Sequence, residues 1–97
     1  MSTVYLNGEY LPIGEAKVSV EDRGFLFADA IYESTPVYRG RAFLLERHMR
    51  RLANGLAALR IDYALDGLTA VHERLIEDNL PSDTALGFVY VQVTRGV

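Results

Sequence analysis

Arginines are the residues of this sequence whose type and spacing point most clearly to chemistry. Arg47, Arg50 and Arg51 cluster in one stretch, on the side of a helical pattern that its leucines do not occupy. A guanidinium is a planar fork of donors, so it holds a phosphate ester by charge-assisted hydrogen bonds about twice as strong as neutral ones. On a helical wheel Arg51 shares a flank with His48 and Gly55, and a glycine there leaves room for a bulky group. An ordinary solvated helix face explains most of these arginines, and the alternative at Arg51 is a site for an anion.

The other residue types offer no self-contained active site. The chain has no cysteine, which excludes disulfides, thiolate metal sites and a cysteine nucleophile. Its two histidines are far apart in sequence, so no metal cage is expected. His72 lies in the apolar arc of a second helical pattern, which favours a packed histidine bonded to a backbone carbonyl. His48 borders the leucine face of the first helix, and we assign it a capping or packing role.

Composition predicts one ordinary globular domain. The chain has 97 residues, 49% of them hydrophobic and 24% charged, with a net charge of −3. A chain of this size encloses one modest core, and its net negative charge provides no positive potential to bind a nucleic acid backbone. The amino end has no basic leader and no long apolar run, so we expect a cytoplasmic protein without membrane or nucleic acid partners.

The first half of the sequence has the pattern of antiparallel strands. Asn7-Gly8 favours a type I′ turn between two short strands, at 3–6 and 9–11. Residues 21–24 are expected to form a turn, and a strand is expected from 31 to 38, reversed by Arg39-Gly40 into a strand at 41–44. Because proline cannot donate to a ladder, Pro36 predicts an edge strand or a bulge.

The spacing of the apolar residues changes in the second half of the sequence. The helical spacing of leucines and Met49 predicts a helix from 45 to about 60. Asp66 is expected to cap a second helix that runs to about 78. Residues 85–94 alternate valines with larger side chains, so both faces are occupied and a central strand is expected. The fold class is therefore α+β, a two-layer sandwich of a mostly antiparallel sheet covered by two amphipathic helices.

Four blocks of this sequence, in this order, resemble one known family. They are VYLNGEYLP from Val4, EDRGFLFADAIYE from Glu21, VYRGRAFLLERHMRRL from Val37, and VYVQVTRG from Val89. Together they resemble the amino-terminal domain of fold type IV pyridoxal phosphate-dependent aminotransferases, and within that family the D-amino acid enzymes. The resemblance implies that residues 1–97 are one domain of a two-domain enzyme, working as a homodimer with pyridoxal 5′-phosphate.

The resemblance also implies roles for individual residues. The family pattern His-x-x-Arg-Leu falls on His48 to Leu52, so its phosphate-binding arginine falls on Arg51. The tyrosine that helps to hold the substrate carboxylate falls on Tyr32, and Ser34 follows on the same strand face in the substrate-binding region. Pro36 departs from relatives that carry a basic residue there. Glu33 points the opposite way in a regular strand and receives no role.

No residue of this chain matches the catalytic lysine of the family. Lys17 is the only lysine and precedes the motif region, so it is expected on the surface. The lysine belongs to the family's carboxyl-terminal domain, a missing partner here, and the chain alone is expected to be inactive. The alternatives are an aminodeoxychorismate lyase, a branched-chain or R-amine aminotransferase domain, or a non-catalytic dimerising module.

Overall fold

The computed structural model describes residues 2–97 and has two antiparallel sheets beside two long helices. The first sheet pairs β1 (Thr3–Leu6) with β2 (Glu9–Pro12). The second has the strand order β4-β3-β5, with β3 (Ala30–Tyr38), β4 (Arg41–Ala42) and β5 (Gly87–Thr94). The helices are α1 (Arg23–Phe27), α2 (Leu45–Leu59) and α3 (Leu68–Asn79), and a 3₁₀ turn spans Ile13–Glu15. The predicted α+β sandwich is confirmed.

The two predicted chain reversals are confirmed by their backbone angles. Asn7 and Gly8 both have positive φ, 49° and 89°, and the flanking pair is Leu6 with Glu9. Arg39 and Gly40 repeat this geometry, with φ of 49° and 83°. Two central residues with positive φ define a type I′ turn, whose twist matches that of the strands it joins. Both hairpins are thus specified locally by a short stretch of sequence.

The core lies between the second sheet and the helices. Leu52 and Leu56 of α2 pack with Leu68 of α3 and Val93 of β5. A second cluster joins Val37, Ile76 and Val89. The periodic leucines predicted this face of α2 correctly, although Leu59 at its end is 37% exposed. Helix α2 packs mainly on β3, and α3 contacts β1, β4 and β5.

Two of the predicted local structures need correction. The turn predicted at 21–24 is found only at its start, since residues 20 and 21 form a turn and the short helix α1 begins at Arg23. The Asp22 carboxylate accepts from the backbone N–H of Gly24 at 2.8 Å and caps this helix. The other Asp22 oxygen accepts from the Thr94 hydroxyl at 2.9 Å. Asp66 does not cap α3; Gly67, with φ of 84°, occupies that position and has no capping side chain.

The strand order corrects two further expectations. Strand β3 lies in the middle of its sheet although it contains Pro36, and β5 lies at the edge although it was expected to be central. Pro36 is tolerated because its nitrogen faces β4, and the hydrogen-bond ladder between β3 and β4 ends at this position. The Pro36 carbonyl accepts from the backbone N–H of Phe43 at 2.8 Å. The strand expected at 41–44 shortens to two residues for the same reason.

No helix within residues 2–97 combines the length and the apolar character needed to cross a bilayer.

Candidate functional site

Strand β3 directs two neighbouring side chains to opposite faces of the sheet. Tyr32 is 61% exposed on the outer face, while Glu33 is 4% exposed on the face that packs against the helices. This alternation was predicted, but no role was assigned to Glu33. The structure makes it the centre of the ionic contacts in this region.

The Glu33 carboxylate binds two side chains from α2. Arg51 donates from Nε to Oε2 at 2.6 Å and from Nη2 to Oε1 at 2.8 Å. His48 Nδ1 lies 2.7 Å from Oε1. Residues three apart on a helix lie on one face, so the His-x-x-Arg spacing brings both side chains to the same carboxylate. The result is a fixed link between β3 and α2.

Arg51 is held on one side and open on the other. Its side chain is 73% exposed although two of its donors are bound to Glu33. A guanidinium has five N–H donors, so three remain for another acceptor. A buried carboxylate that fixes the plane of the guanidinium reduces the conformational entropy lost when an anion binds to the open side.

The charges of this cluster reinforce one another. The hydrogen bond from Arg51, with a smaller contribution from His48, lowers the pKa of Glu33 although burial opposes its ionisation. The hydrogen bond to Glu33 likewise raises the pKa of Arg51. Glu33 is therefore a carboxylate at neutral pH, paired with the Arg51 cation.

The helical wheel had suggested that Gly55 leaves room for a bulky group beside Arg51. The structure shows that it does not. A Cβ at Gly55 would lie 3.0 Å from Cγ2 of Ile31, so the missing side chain lets β3 approach α2. Gly55 thus serves the packing that brings Glu33 to Arg51. Its contribution to the site is indirect.

The outer face of the second sheet carries the other predicted site residues. Tyr32 stacks on Tyr90 of β5 with ring centroids 5.5 Å apart and an interplanar angle of 20°. Ser34 is half-buried and pairs with Tyr90 in the strand register. Phe88, 60% exposed, continues the aromatic surface along β5. Tyr90 had received no role from the sequence, because its stacking depends on the register of β3 against β5.

The three predicted site residues lie on an open surface of this domain. A large cavity of about 1120 Å³ is lined by Tyr90 but by none of Arg51, Tyr32 and Ser34. Tyr32 faces outward from the sheet, whereas Arg51 approaches Glu33 from the helix layer. A closed binding site around these residues therefore needs surface from outside residues 2–97.

Two further expectations concern titratable side chains. His72 is buried in α3, and its Nδ1 lies 2.7 Å from the Leu68 carbonyl, which confirms the packed histidine. Lys17 is exposed, as predicted. Within the described part of the chain, no cluster of three or more potential metal ligands occurs.

Comparison with known proteins decides the family. The family model for class IV amino-transferases matches residues 30–97, which include β3, both long helices and β5. The chain belongs to the class IV aminotransferases. It is 36% identical over 99 residues to a D-alanine aminotransferase of Staphylococcus aureus strain MSSA476, and 38% identical over 96 residues to one of Listeria monocytogenes serotype 4b. These alignments cover 100% and 97% of this chain.

A solved relative has the same fold. The crystal structure of 4-amino-4-deoxychorismate lyase from Pseudomonas aeruginosa superimposes with a TM-score of 0.62 at 36% identity, covering 84% of this chain and 28% of the lyase. The class IV aminotransferase chain described here covers 34% of the Staphylococcus relative and 32% of the Listeria relative. The relatives are thus about three times as long.

The acid stability of this class IV aminotransferase domain should depend on Glu33 and Asp29. The pKa of Asp29 is lowered, chiefly by its hydrogen bond from Arg95 at 2.7 Å. Carboxylates with lowered pKa values stabilise the fold above the pKa of the unfolded chain, and this stabilisation is lost as pH falls through the folded-state values. We expect the free energy of unfolding, measured in urea, to be flat above about pH 5 and to fall below about pH 4.

The matched variants are Glu33→Gln and Glu73→Gln. Glu33→Gln removes one of the two carboxylates, so its unfolding free energy should change less between pH 7 and pH 3. Glu73 is exposed on α3, and its variant should keep the full change. Identical pH dependence in Glu33→Gln and the unmodified chain would contradict the assignment.

Proposed function

We propose that this chain is the amino-terminal domain of a pyridoxal phosphate-dependent D-amino acid aminotransferase. The complete enzyme would move an amino group between a D-amino acid and a 2-oxo acid. The observation that carries the proposal is the match of the whole chain to D-alanine aminotransferases about three times as long. Residues 1–97 then form a single domain, and a carboxyl-terminal domain supplies the rest of the active site.

The donor set around Arg51 suits the cofactor. Class IV aminotransferases as a family depend on pyridoxal 5′-phosphate, whose phosphate needs several charge-assisted donors. Arg51 would bind that phosphate through its exposed donors, and Glu33 would hold the guanidinium in place. The cofactor, when bound, supplies the electron sink that makes the substrate Cα proton acidic.

Tyr32 and Ser34 suit the substrate side of the same site. A phenol is a neutral donor at physiological pH and would hydrogen bond the substrate carboxylate. Tyr90 stacks on the Tyr32 ring and would limit its rotation. Ser34 lies two residues further along the same strand face and would contact the substrate beyond its carboxylate.

No residue of this chain is assigned a catalytic role. The single lysine, Lys17, is exposed and lies in the segment that precedes α1. A lysine from the carboxyl-terminal domain would therefore move the Cα proton, and this domain would bind and orient. The homodimer and the cytoplasmic location remain predictions of the resemblance and the sequence.

A second candidate activity is supported by the solved relative. The Pseudomonas lyase shares 36% identity with this chain, which is as high as the identity of the Staphylococcus aminotransferase. An aminodeoxychorismate lyase would use the same phosphate-binding domain for a different bond cleavage. The sequence matches to D-alanine aminotransferases of Staphylococcus and Listeria, which cover 100% and 97% of this chain, favour the aminotransferase.

The test compares the polypeptide of the complete reading frame with the 97-residue chain. With pyridoxal phosphate, D-alanine and 2-oxoglutarate, we expect the complete polypeptide to form pyruvate and glutamate, with L-alanine a poor substrate. The 97-residue chain should give no rate. Cleavage of 4-amino-4-deoxychorismate without amino transfer would favour the lyase, and a substantial rate from the 97-residue chain would contradict the division of roles.

A further inference from the structure

The outer face of the second sheet carries a row of uncharged side chains from three register pairs. The pairs are Tyr32 with Gln92, Ser34 with Tyr90, and Pro36 with Phe88, and we call these six residues the outer strip. The rings of Tyr32, Tyr90 and Phe88 are 61%, 59% and 60% exposed. Soluble proteins rarely expose contiguous apolar surface that has no ligand or partner. The outer strip is therefore a candidate for contact with a ligand along its whole length.

The strand register brings the side chains of the outer strip close together. The Arg95 N–H donates to the Asp29 carbonyl at 3.1 Å, which makes Ala30 and Thr94 a pair without mutual hydrogen bonds. Such pairs alternate with hydrogen-bonded pairs along an antiparallel ladder, so all three pairs of the outer strip are of this kind. Side chains approach each other most closely in these pairs. The outer strip is thus one continuous surface.

The outer strip begins at Tyr32 and has a length that suits an amino acid side chain. Successive residues on one face of a strand are about 7 Å apart, so Ser34 lies about 7 Å and Pro36 about 14 Å from Tyr32 along β3. A carboxylate bound by the Tyr32 phenol would place the rest of an extended substrate over the pair of Ser34 and Tyr90. Larger side chains would reach the pair of Pro36 and Phe88.

The outer strip offers aromatic rings and neutral polar groups along this path. Its hydroxyls and its amide hydrogen bond to a ligand but do not neutralise a charge. Arg51 and Glu33 pair with each other in the helix layer, on the opposite side of β3. A carboxylate moved from water onto the outer strip would lose hydration without gaining a cation, whereas an apolar chain would be stabilised by leaving water.

We propose that the outer strip binds the side chain of the substrate and selects apolar and aromatic side chains over those that end in a carboxylate. The inference deepens the proposed function and rests on it, because Tyr32 must hold the substrate α-carboxylate. Phe88 and Tyr90 are then specificity-determining residues, and neither was singled out by the sequence. The acceptor 2-oxoglutarate still reacts, but more slowly than an apolar 2-oxo acid of similar length.

A matched pair of acceptors tests this selection in the polypeptide of the complete reading frame. The acceptors are 2-oxohexanoate and 2-oxoadipate, which differ only in that a carboxylate replaces the terminal methyl. With D-alanine as donor and pyridoxal phosphate present, pyruvate formation should give a kcat/KM for 2-oxohexanoate at least about tenfold higher. The difference should lie mainly in KM, because the outer strip binds and does not react. Equal values, or a preference for 2-oxoadipate, would overturn the proposal.

A charge placed in the outer strip should reverse the selection. The flexible side chain of Phe88→Lys brings an ammonium to the terminal carboxylate of 2-oxoadipate, so the preference for 2-oxohexanoate should fall about tenfold. Tyr63→Lys places the same charge between α2 and α3, at an aromatic residue that is 43% exposed, and should keep the preference. An unchanged preference in Phe88→Lys, or an equal loss in both variants, would overturn the proposal. If Phe88→Lys fails to fold, the two acceptors with the unmodified polypeptide still decide.

A binding measurement without catalysis separates this proposal from the proposed function. Hexanoate or adipate is added to the complete polypeptide, and NMR follows the Tyr90 ring resonances, which are identified by their loss in Tyr90→Phe. Hexanoate should shift them with a dissociation constant at least about tenfold lower than that of adipate. This result in a polypeptide that transfers no amino group would contradict the proposed function and support the outer strip. No shift with either ligand, or adipate bound as tightly as hexanoate, would overturn the outer strip even in an active enzyme.

Discussion

Leu52→Ala is expected to lower the free energy of unfolding of the 97-residue chain by about 3 kcal/mol. Leu52 has 0% of its surface exposed and packs with Leu56, Leu68 and Val93, so it joins both long helices to β5. Removal of its side chain loses hydrophobic transfer free energy and leaves a cavity that this core cannot fill. A domain of this size has a total stability of about 5–15 kcal/mol, so the loss is a large fraction.

Leu59→Ala is the matched control for this prediction. Leu59 lies on the same helix but is 37% exposed, and the same substitution should cost less than about 1 kcal/mol. Urea unfolding followed by circular dichroism at one pH gives both values. Equal losses in the two variants would mean that the core does not centre on Leu52.

The parts of this fold that could be predicted are those fixed by short stretches of sequence. Asn7-Gly8 specifies a turn with two positive φ angles, and the leucines of α2 specify which face is buried. Both depend on neighbours within one or two turns of the chain. The four sequence blocks added the family, because their order and spacing are more specific than any single pattern.

The parts that could not be predicted depend on contacts between distant segments. Asp22 caps α1 with one oxygen and binds Thr94 with the other, across most of the chain. Glu33 was given no role because a strand pattern shows only that it faces away from Tyr32. Its partners lie on α2, 15 and 18 residues further along. A carboxylate at a helix-facing strand position, followed by a helix with His-x-x-Arg, was the signal that could have found this cluster.

The position of β5 in its sheet could also not be predicted from its sequence. The residues of β5 are apolar on one face and aromatic on the other, which is typical of a strand with neighbours on both sides. The structure gives β5 one neighbouring strand, β3, and its residues 89–94 line the large cavity. A sequence pattern therefore shows which faces of a strand are covered, but it does not show which strands lie beside it.

Arg51→Ala in the complete polypeptide should weaken retention of pyridoxal phosphate by about 10- to 100-fold, since each hydrogen bond to a charged group contributes about 1.5–3 kcal/mol. Glu33 fixes the Arg51 guanidinium while leaving donors exposed, so the side chain is prepared for an anion before one arrives. Removal of the guanidinium takes away both the charge and the directed donors. Among the described residues, His48 is the other side chain that binds the Glu33 carboxylate, and an imidazole has no comparable fork of donors.

Cofactor retention in Arg51→Ala and Arg47→Ala, compared side by side, tests the central claim most directly. Arg47 is exposed on the same helix, four residues earlier, and its substitution removes an equal charge. Equilibrium dialysis of each loaded variant, with cofactor absorbance as the readout, gives the two dissociation constants. We predict near-normal retention in Arg47→Ala and the large loss in Arg51→Ala. Equal retention in the two variants would contradict the assignment of Arg51 to the cofactor phosphate.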